Sequence, residues 1–171
     1  MQEHQLAFDP IVEARRQWES HWGAGATAQM VALTSIMRSQ QILLARLNAA
    51  LEPFALTFAR YETLMVLYYS RLGELPLGKL SDRLQVHRAS VTNVIDKLET
   101  SGYVVRIAHA HDRRTTLARI TERGRQVAEQ ATRTLNGGGF AMGALSAEAC
   151  EQLFQVLEPL RRDAGDFAAQ P

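Results

Sequence analysis

The chain has one cysteine in 171 residues, so no internal disulfide can form. Cys150 lies in a stretch with helical spacing and reads as a small buried hydrophobe, which fits a reducing cytoplasm. Apolar runs fall well short of the ~20 residues a membrane span needs, and no leader or lipidation pattern is evident. A cytoplasmic protein without a membrane partner is expected. Net charge is only +1, so the chain as a whole is not a basic coat for nucleic acid. No nucleophile lies near a partnering base, no glycine loop is built to cradle phosphate, and no carboxylate pair has a reason to be buried. Gly137–Gly139 reads as a linker rather than a nucleotide loop. His109 and His111, with His87 nearby, lack the cysteines or carboxylates that would complete a metal shell. Neither an enzyme, a cofactor nor a metal is expected.

Against these absences stands an apolar fraction of 46%, enough for a real core. The charge is also unevenly placed. Between Arg71 and Arg125 lie 11 of the 19 Lys and Arg but only 6 of the 18 Asp and Glu. The middle of the chain is therefore basic and the two ends acidic, a distribution that suits contact with phosphates.

The organising stretch is His87–Leu98, HRASVTNVIDKL. Val91, Ile95 and Leu98 recur at the spacing of one buried helical face, with Val94 widening it. The opposite face carries Arg88, Thr92 and Asn93, with Ser90 and Lys97 on its flanks. All of these can donate a hydrogen bond. His87 stands at the N-cap position without being a favoured cap, so Ser90 or a phosphate is expected to serve the free N–H groups there. Just before it, Leu77–Leu84 reads as a short amphipathic helix with Leu77, Leu80 and Leu84 inward. Gln85-Val86 leaves only a tight connection, which forces the steep crossing of a helix-turn-helix.

Ser101-Gly102 then reads as a helix stop. Tyr103–Ala108 and Thr115–Ile120 alternate like strands, and Leu75–Leu77 is expected to add a one-bridge third strand. The strands flank a polar, basic tip, His109-Ala110-His111-Asp112-Arg113-Arg114. Helix, turn, helix and basic hairpin make a winged helix-turn-helix.

Around this motif the pattern is helical. Asp9 and Pro10 open a helix to Trp22, with Ile11, Ala14, Trp18 and Trp22 on one face that should dock on something. Thr27–Leu51 is one long helix of about 37 Å, apolar on more than one side. Met30, Leu33, Met37, Leu44, Leu47 and Leu51 form its main stripe, and Pro53 ends it. Thr57 caps a helix over Phe58–Arg71 with Tyr61, Leu64, Met65 and Tyr68 inward. Thr121 caps Glu122–Leu135, which has a thin edge of Val127, Ala131 and Leu135. Asn136–Gly139 is the most flexible point. Ser146 caps a last helix with Leu153, Phe154, Leu157 and Leu160 inward and Pro159 kinking it. The expected fold is mainly α with a small β-hairpin wing. Residues 1–56 and 121–171 should form dimerisation helices, with the DNA-binding domain at 57–120.

The segments LGKLSDRLQV (Leu77–Val86), SVTNVIDKLETSGYVVR (Ser90–Arg106) and DRRTTLARITERG (Asp112–Gly124), in this order, resemble the MarR family of bacterial transcriptional regulators. The likeness extends over the order of flanking helices, from about Thr27 to Phe167. It implies a homodimer whose N- and C-terminal helices interleave and whose two winged domains grip a pseudo-palindromic operator in double-stranded DNA. Arg88, Thr92 and Asn93 would then meet base edges, Ser90 and Lys97 edges or phosphates, and Lys79 and His87 phosphates. Arg113 and Arg114 would lie at the wing tip, with Arg114 in the minor groove and Asp112 steadying it. The resemblance also implies a repressor that responds to a small molecule, an aromatic or phenolic acid being the class to try first. A pocket lined by Trp18, Arg38, Gln41, Tyr61, Met65 and Tyr68 is the expectation. Two alternatives stay open: an oxidation sensor acting through Cys150, and a winged-helix protein-interaction module without DNA binding.

Overall fold

In a computed structural model, residues 6–108 and 115–167 are described. The wing tip, with Asp112, Arg113, Arg114 and both loop histidines, lies outside them. Two compact units are distinguished, Met1–Ala45 and Arg46–Pro171.

The first unit is helical. Helix α1 spans Pro10–Trp22, and the Asp9 carboxylate accepts from the Ile11 N–H at 2.8 Å. Pro10 sits where a missing N–H costs nothing. Helix α2 runs from Thr27 to Leu51 and carries the chain into the second unit. Within the chain itself, the expected docking of α1 is not met. None of its residues is buried, and Trp22 is 77% exposed. The stripe on α2 is likewise inward only at its end: Leu47 and Leu51 are buried, whereas Leu33, Met37 and Leu44 are exposed.

The second unit holds the core. Helix α3 spans Phe58–Tyr68, and Thr57 Oγ1 accepts from the Arg60 N–H. It stops three residues before the expected Arg71. Ser70 turns the chain there: its N–H and hydroxyl both donate to the Leu67 carbonyl, and Gly73 follows at φ 69°. Tyr61 and Leu64 are buried as expected, Met65 and Tyr68 are half-buried against the core, and Leu67 joins them fully enclosed.

Strand β1 (Glu74–Pro76) leads directly into helix α4 (Leu77–Leu84), and helix α5 follows at Arg88–Thr100. Strands β2 (Val104–Ala108) and β3 (Thr116–Ile120) pair antiparallel, and β1 lies on the other side of β3. The expected single bridge at Leu75–Leu77 is instead a three-residue ladder, Glu74 opposite Arg119 and Pro76 opposite Leu117, because Leu77 already belongs to α4. Helix α6 spans Glu122–Gly137, past the expected end at Leu135, and the glycine run becomes a short 3-10 turn at Gly139–Ala141. Phe140 takes a left-handed conformation in that turn.

Helix α7 covers Ala147–Asp163, capped by Ser146 Oγ accepting from the Ala149 N–H, and it continues through Pro159. It buries no residue. Leu153, Phe154 and Leu160, expected inward, are exposed in the single chain. Leu51, Leu64, Leu67, Leu80, Ile95, Leu98, Val104 and Leu135 pack one continuous core beneath the helix-turn-helix. That burial holds α4 and α5 in place and leaves their polar faces free.

Candidate nucleic-acid interface

The turn between α4 and α5 is made without glycine. Gln85 takes the left-handed conformation at φ 53°, and its N–H returns to the Ser81 carbonyl. Ser81 Oγ donates to the Val86 carbonyl at 2.5 Å, closing the turn from inside. Gln85 Nε2 donates to the Asp166 carbonyl at 2.7 Å, so the segment after α7 meets the turn.

His87 occupies the N-cap of α5, and its side chain makes no capping bond. Ser90, an expected helper, does not cap either. Its N–H donates to the His87 carbonyl at 2.9 Å, while its side chain is exposed. The start of α5 is therefore open, with the dipole-favoured end of the helix facing outward.

Along α5, Val91, Ile95 and Leu98 are buried as expected from their spacing. His87, Arg88, Ser90, Thr92, Asn93 and Lys97 are all exposed, as is Lys79 on α4. Helical spacing divides them. Asn93 and Lys97, four apart, share an outward stripe with Ser90. Arg88 and Thr92 lie on a second stripe with Asp96, and Thr92 Oγ1 donates to the Arg88 carbonyl at 3.1 Å. The Arg88 guanidinium also lies against Gly78, near enough that a Cβ there would sit 3.5 Å from it.

The basic side chains of this region fall into two groups. Arg119 pairs with Glu74 at 2.5 Å, and Arg106 binds Asp96 at 2.6 Å and Glu99 at 2.5 Å. Burial alone would lower the Arg106 pKa, but the hydrogen bonds it donates to Asp96 and Glu99, with their negative charge, raise it on balance. Arg123 and Arg125 stack on Tyr103 and Tyr68 at 5.4 and 5.6 Å. By contrast Lys79, Arg83, Arg88 and Lys97 make no ion pair among the described residues. These unneutralised cations lie on the same two helices as the open α5 start.

Of the residues expected at a small-molecule pocket, Trp18, Arg38 and Gln41 belong to the first unit and Tyr61, Met65 and Tyr68 to the second. Trp18 is partly exposed on α1, and Arg38 Nη1 donates to Gln41 Oε1 at 3.4 Å on α2. In the second unit, Met65 and Tyr68 line an open cleft of about 250 Å³ together with Tyr69, Glu129, Thr132 and Arg133. Tyr61 lies behind it, buried, with its hydroxyl 3.0 Å from Thr132 Oγ1. Tyr68 donates to Glu129 at 2.9 Å, and that bond, with the carboxylate charge, raises the phenol pKa. Sequence reasoning did not find the α6 side of this cleft. The signal was present as Glu129, Thr132 and Arg133 on one face of that helix.

The MarR family pattern matches residues 56–116. The HTH-type transcriptional regulator MhqR of Bacillus subtilis (strain 168) is 35% identical over 78 residues, covering 46% of this chain and 52% of that protein. The chain thus spans about half the length of that curated relative. The crystal structure of Sco5413, a MarR family transcriptional regulator from Streptomyces coelicolor, is 49% identical and has a TM-score of 0.77. It covers 83% of this chain and 99% of Sco5413. Sco3205 from the same organism, a MarR family regulator solved in complex with DNA, is 20% identical with a TM-score of 0.68, over 78% of this chain and 85% of that one. That last likeness speaks for the fold. The relatives are transcriptional regulators rather than enzymes.

Proposed function

This chain belongs to the MarR family, and from that premise we propose that it regulates transcription by binding double-stranded DNA sequence-specifically as a homodimer. The observation that carries the reading is the α5 surface: an outward stripe of Ser90, Asn93 and Lys97 beside Arg88 and Thr92, with no carboxylate among the described residues pairing with Arg88 or Lys97. Asn93 reads an adenine edge and Arg88 a guanine edge, each worth ~1–3 kcal/mol of discrimination. Thr92 offers its methyl to a thymine. Lys79 and the open helix start at His87 hold phosphates. Arg114 enters the minor groove beside the major-groove helix, with Arg113 next to it at the wing tip and Asp112 holding Arg114 in place.

Residues 1–56 and 121–171 supply the dimer contacts. Exposed Leu33, Met37 and Leu44 on α2 and Leu153, Phe154 and Leu160 on α7 support this, since so many apolar side chains are costly to leave wet. Two-fold symmetry then requires a pseudo-palindromic operator with half-sites about one turn, ~10 bp, apart. The protein acts as a repressor, released by a small aromatic or phenolic molecule that binds one spacing of the recognition helices better than another. The Met65–Tyr68–Thr132 cleft, with apolar walls and a few polar groups, supports an effector of that class.

The test is selection of duplexes from a random pool, followed by affinity against salt. A palindromic consensus should emerge, with affinity falling by about 10³-fold or more between 50 and 200 mM salt. An unenriched pool, or binding indifferent to salt, refutes the reading.

A further inference from the structure

The guanidinium of Arg106, on β2, is turned back from the wing onto α5. Nη2 donates to Asp96 Oδ1 at 2.6 Å and to the Thr92 carbonyl at 3.4 Å, and Nη1 donates to Glu99 Oε2 at 2.5 Å. The Arg106 backbone N–H adds a bond to Glu99 Oε1 at 3.0 Å. One residue of the wing thus engages three points along two turns of the helix. Residues 92, 96 and 99 share one helical stripe, so a single planar fork can reach all of them. That stripe borders the Ser90–Asn93–Lys97 stripe assigned above to the DNA.

We propose that Arg106 is a positioning residue for DNA recognition: it fixes the angle between the wing and α5, so that both enter adjacent grooves in register. The inference rests on the DNA-binding reading above. Two physical arguments carry it. Asp96 and Glu99 are acidic groups on a DNA-facing helix, and unpaired they would repel phosphates. Their presence there makes sense if they hold something. Ion pairs with exposed carboxylates also add little to stability, and Asp96 and Glu99 are 56% and 40% exposed against 25% for Arg106, so the tie serves geometry more than folding. Arg106 stands three residues before the wing tip, where a small change in strand direction is carried outward to the tip. A recognition constellation tolerates only ~0.5 Å of such displacement.

The test compares Asp96→Asn, Glu99→Gln, Arg106→Gln and Arg106→Lys with the wild-type chain. Affinity is measured for a duplex recovered with the wild type from a random pool and for a scrambled duplex of the same composition. On charge alone, Asp96→Asn should tighten binding to both duplexes. The positioning role gives the opposite on the recovered duplex: a loss of about tenfold, with scrambled-duplex affinity unchanged or higher, so that the specificity ratio falls. Arg106→Gln should lower the ratio at least as far, and Arg106→Lys, which keeps the charge and reaches one carboxylate, should restore part of it. Thermal midpoints should stay within a few degrees of wild type.

Tighter binding of Asp96→Asn to the recovered duplex overturns the proposal. So do equal losses on both duplexes for Arg106→Gln, which would mark a plain phosphate contact. Should Arg106→Gln fold poorly, the two carboxylate variants decide with Arg106 intact. A wild-type chain that enriches no duplex refutes the DNA reading itself. A DNA-free arm separates the two failures: the distance distribution between spin labels at positions 93 and 116 should be narrow in the wild type and broaden in Arg106→Gln. An unchanged distribution refutes the tie.

Discussion

A Cβ placed on Gly124 would lie 2.1 Å from the carbonyl oxygen of Tyr103. The first turn of α6 and the start of β2 therefore meet backbone to backbone. Thr121 completes the join: its Oγ1 accepts from the Gly124 N–H at 3.0 Å and donates to the Gly102 carbonyl at 2.8 Å. The Thr-x-x-Gly signature after the wing thus welds the sheet to the helix that leaves it.

Gly124→Ala should destabilise the fold by about 1–3 kcal/mol, because a backbone carbonyl cannot yield as a flexible side chain can. Thermal unfolding would show a fall of several degrees. Gly143→Ala, where nothing lies within 4 Å, is the control and should change stability by less than ~0.5 kcal/mol.

Ile95 is fully enclosed beneath the polar stripes of α5. Ile95→Ala should cost about 2–5 kcal/mol in urea unfolding, as expected for a cavity in a packed core. Asn93→Ala, two residues away on the exposed face, should leave the urea midpoint unchanged. Equal shifts for the two would mean that the helix is not divided into a core face and a free face.

Much of this division was legible in the sequence. The 3.6-residue period placed Val91, Ile95 and Leu98 inward, and the caps at Asp9, Thr57, Thr121 and Ser146 located four helix starts. Helix ends were harder. Periodicity continued past Tyr68 to Arg71, and only the Ser70 bonds to Leu67 stopped α3. The grip of Arg106 on Asp96 and Glu99 was not legible, because strand alternation says which face a side chain takes but not how far it bends back. Apolar stripes were legible as stripes, but not what covers them: α1 and α7 bury nothing in the single chain.

The exposed Leu33 and Phe154 give the next expectation. Leu33→Glu or Phe154→Glu should convert a dimer to monomer in sedimentation equilibrium, with helicity retained. A dimer that survives both changes would place the interface elsewhere.

Cys150 is half-buried on α7, and sensing through it would require a reactive thiol. Cys150→Ser should leave DNA affinity and its response to peroxide unchanged. A response abolished by this substitution would instead establish the oxidation-sensing alternative.

On the proposed reading, paired copies of α5 contact bases in two successive major grooves. Base-resolution footprinting on the selected duplex tests it most directly, with wild type, Asn93→Ala and Arg114→Ala side by side. Two protected half-sites about one helical turn apart are expected. Asn93→Ala should relax preference at one base pair in each half, and Arg114→Ala should weaken binding to every sequence alike. A single unpaired footprint, or identical losses on cognate and random DNA for both variants, would contradict it.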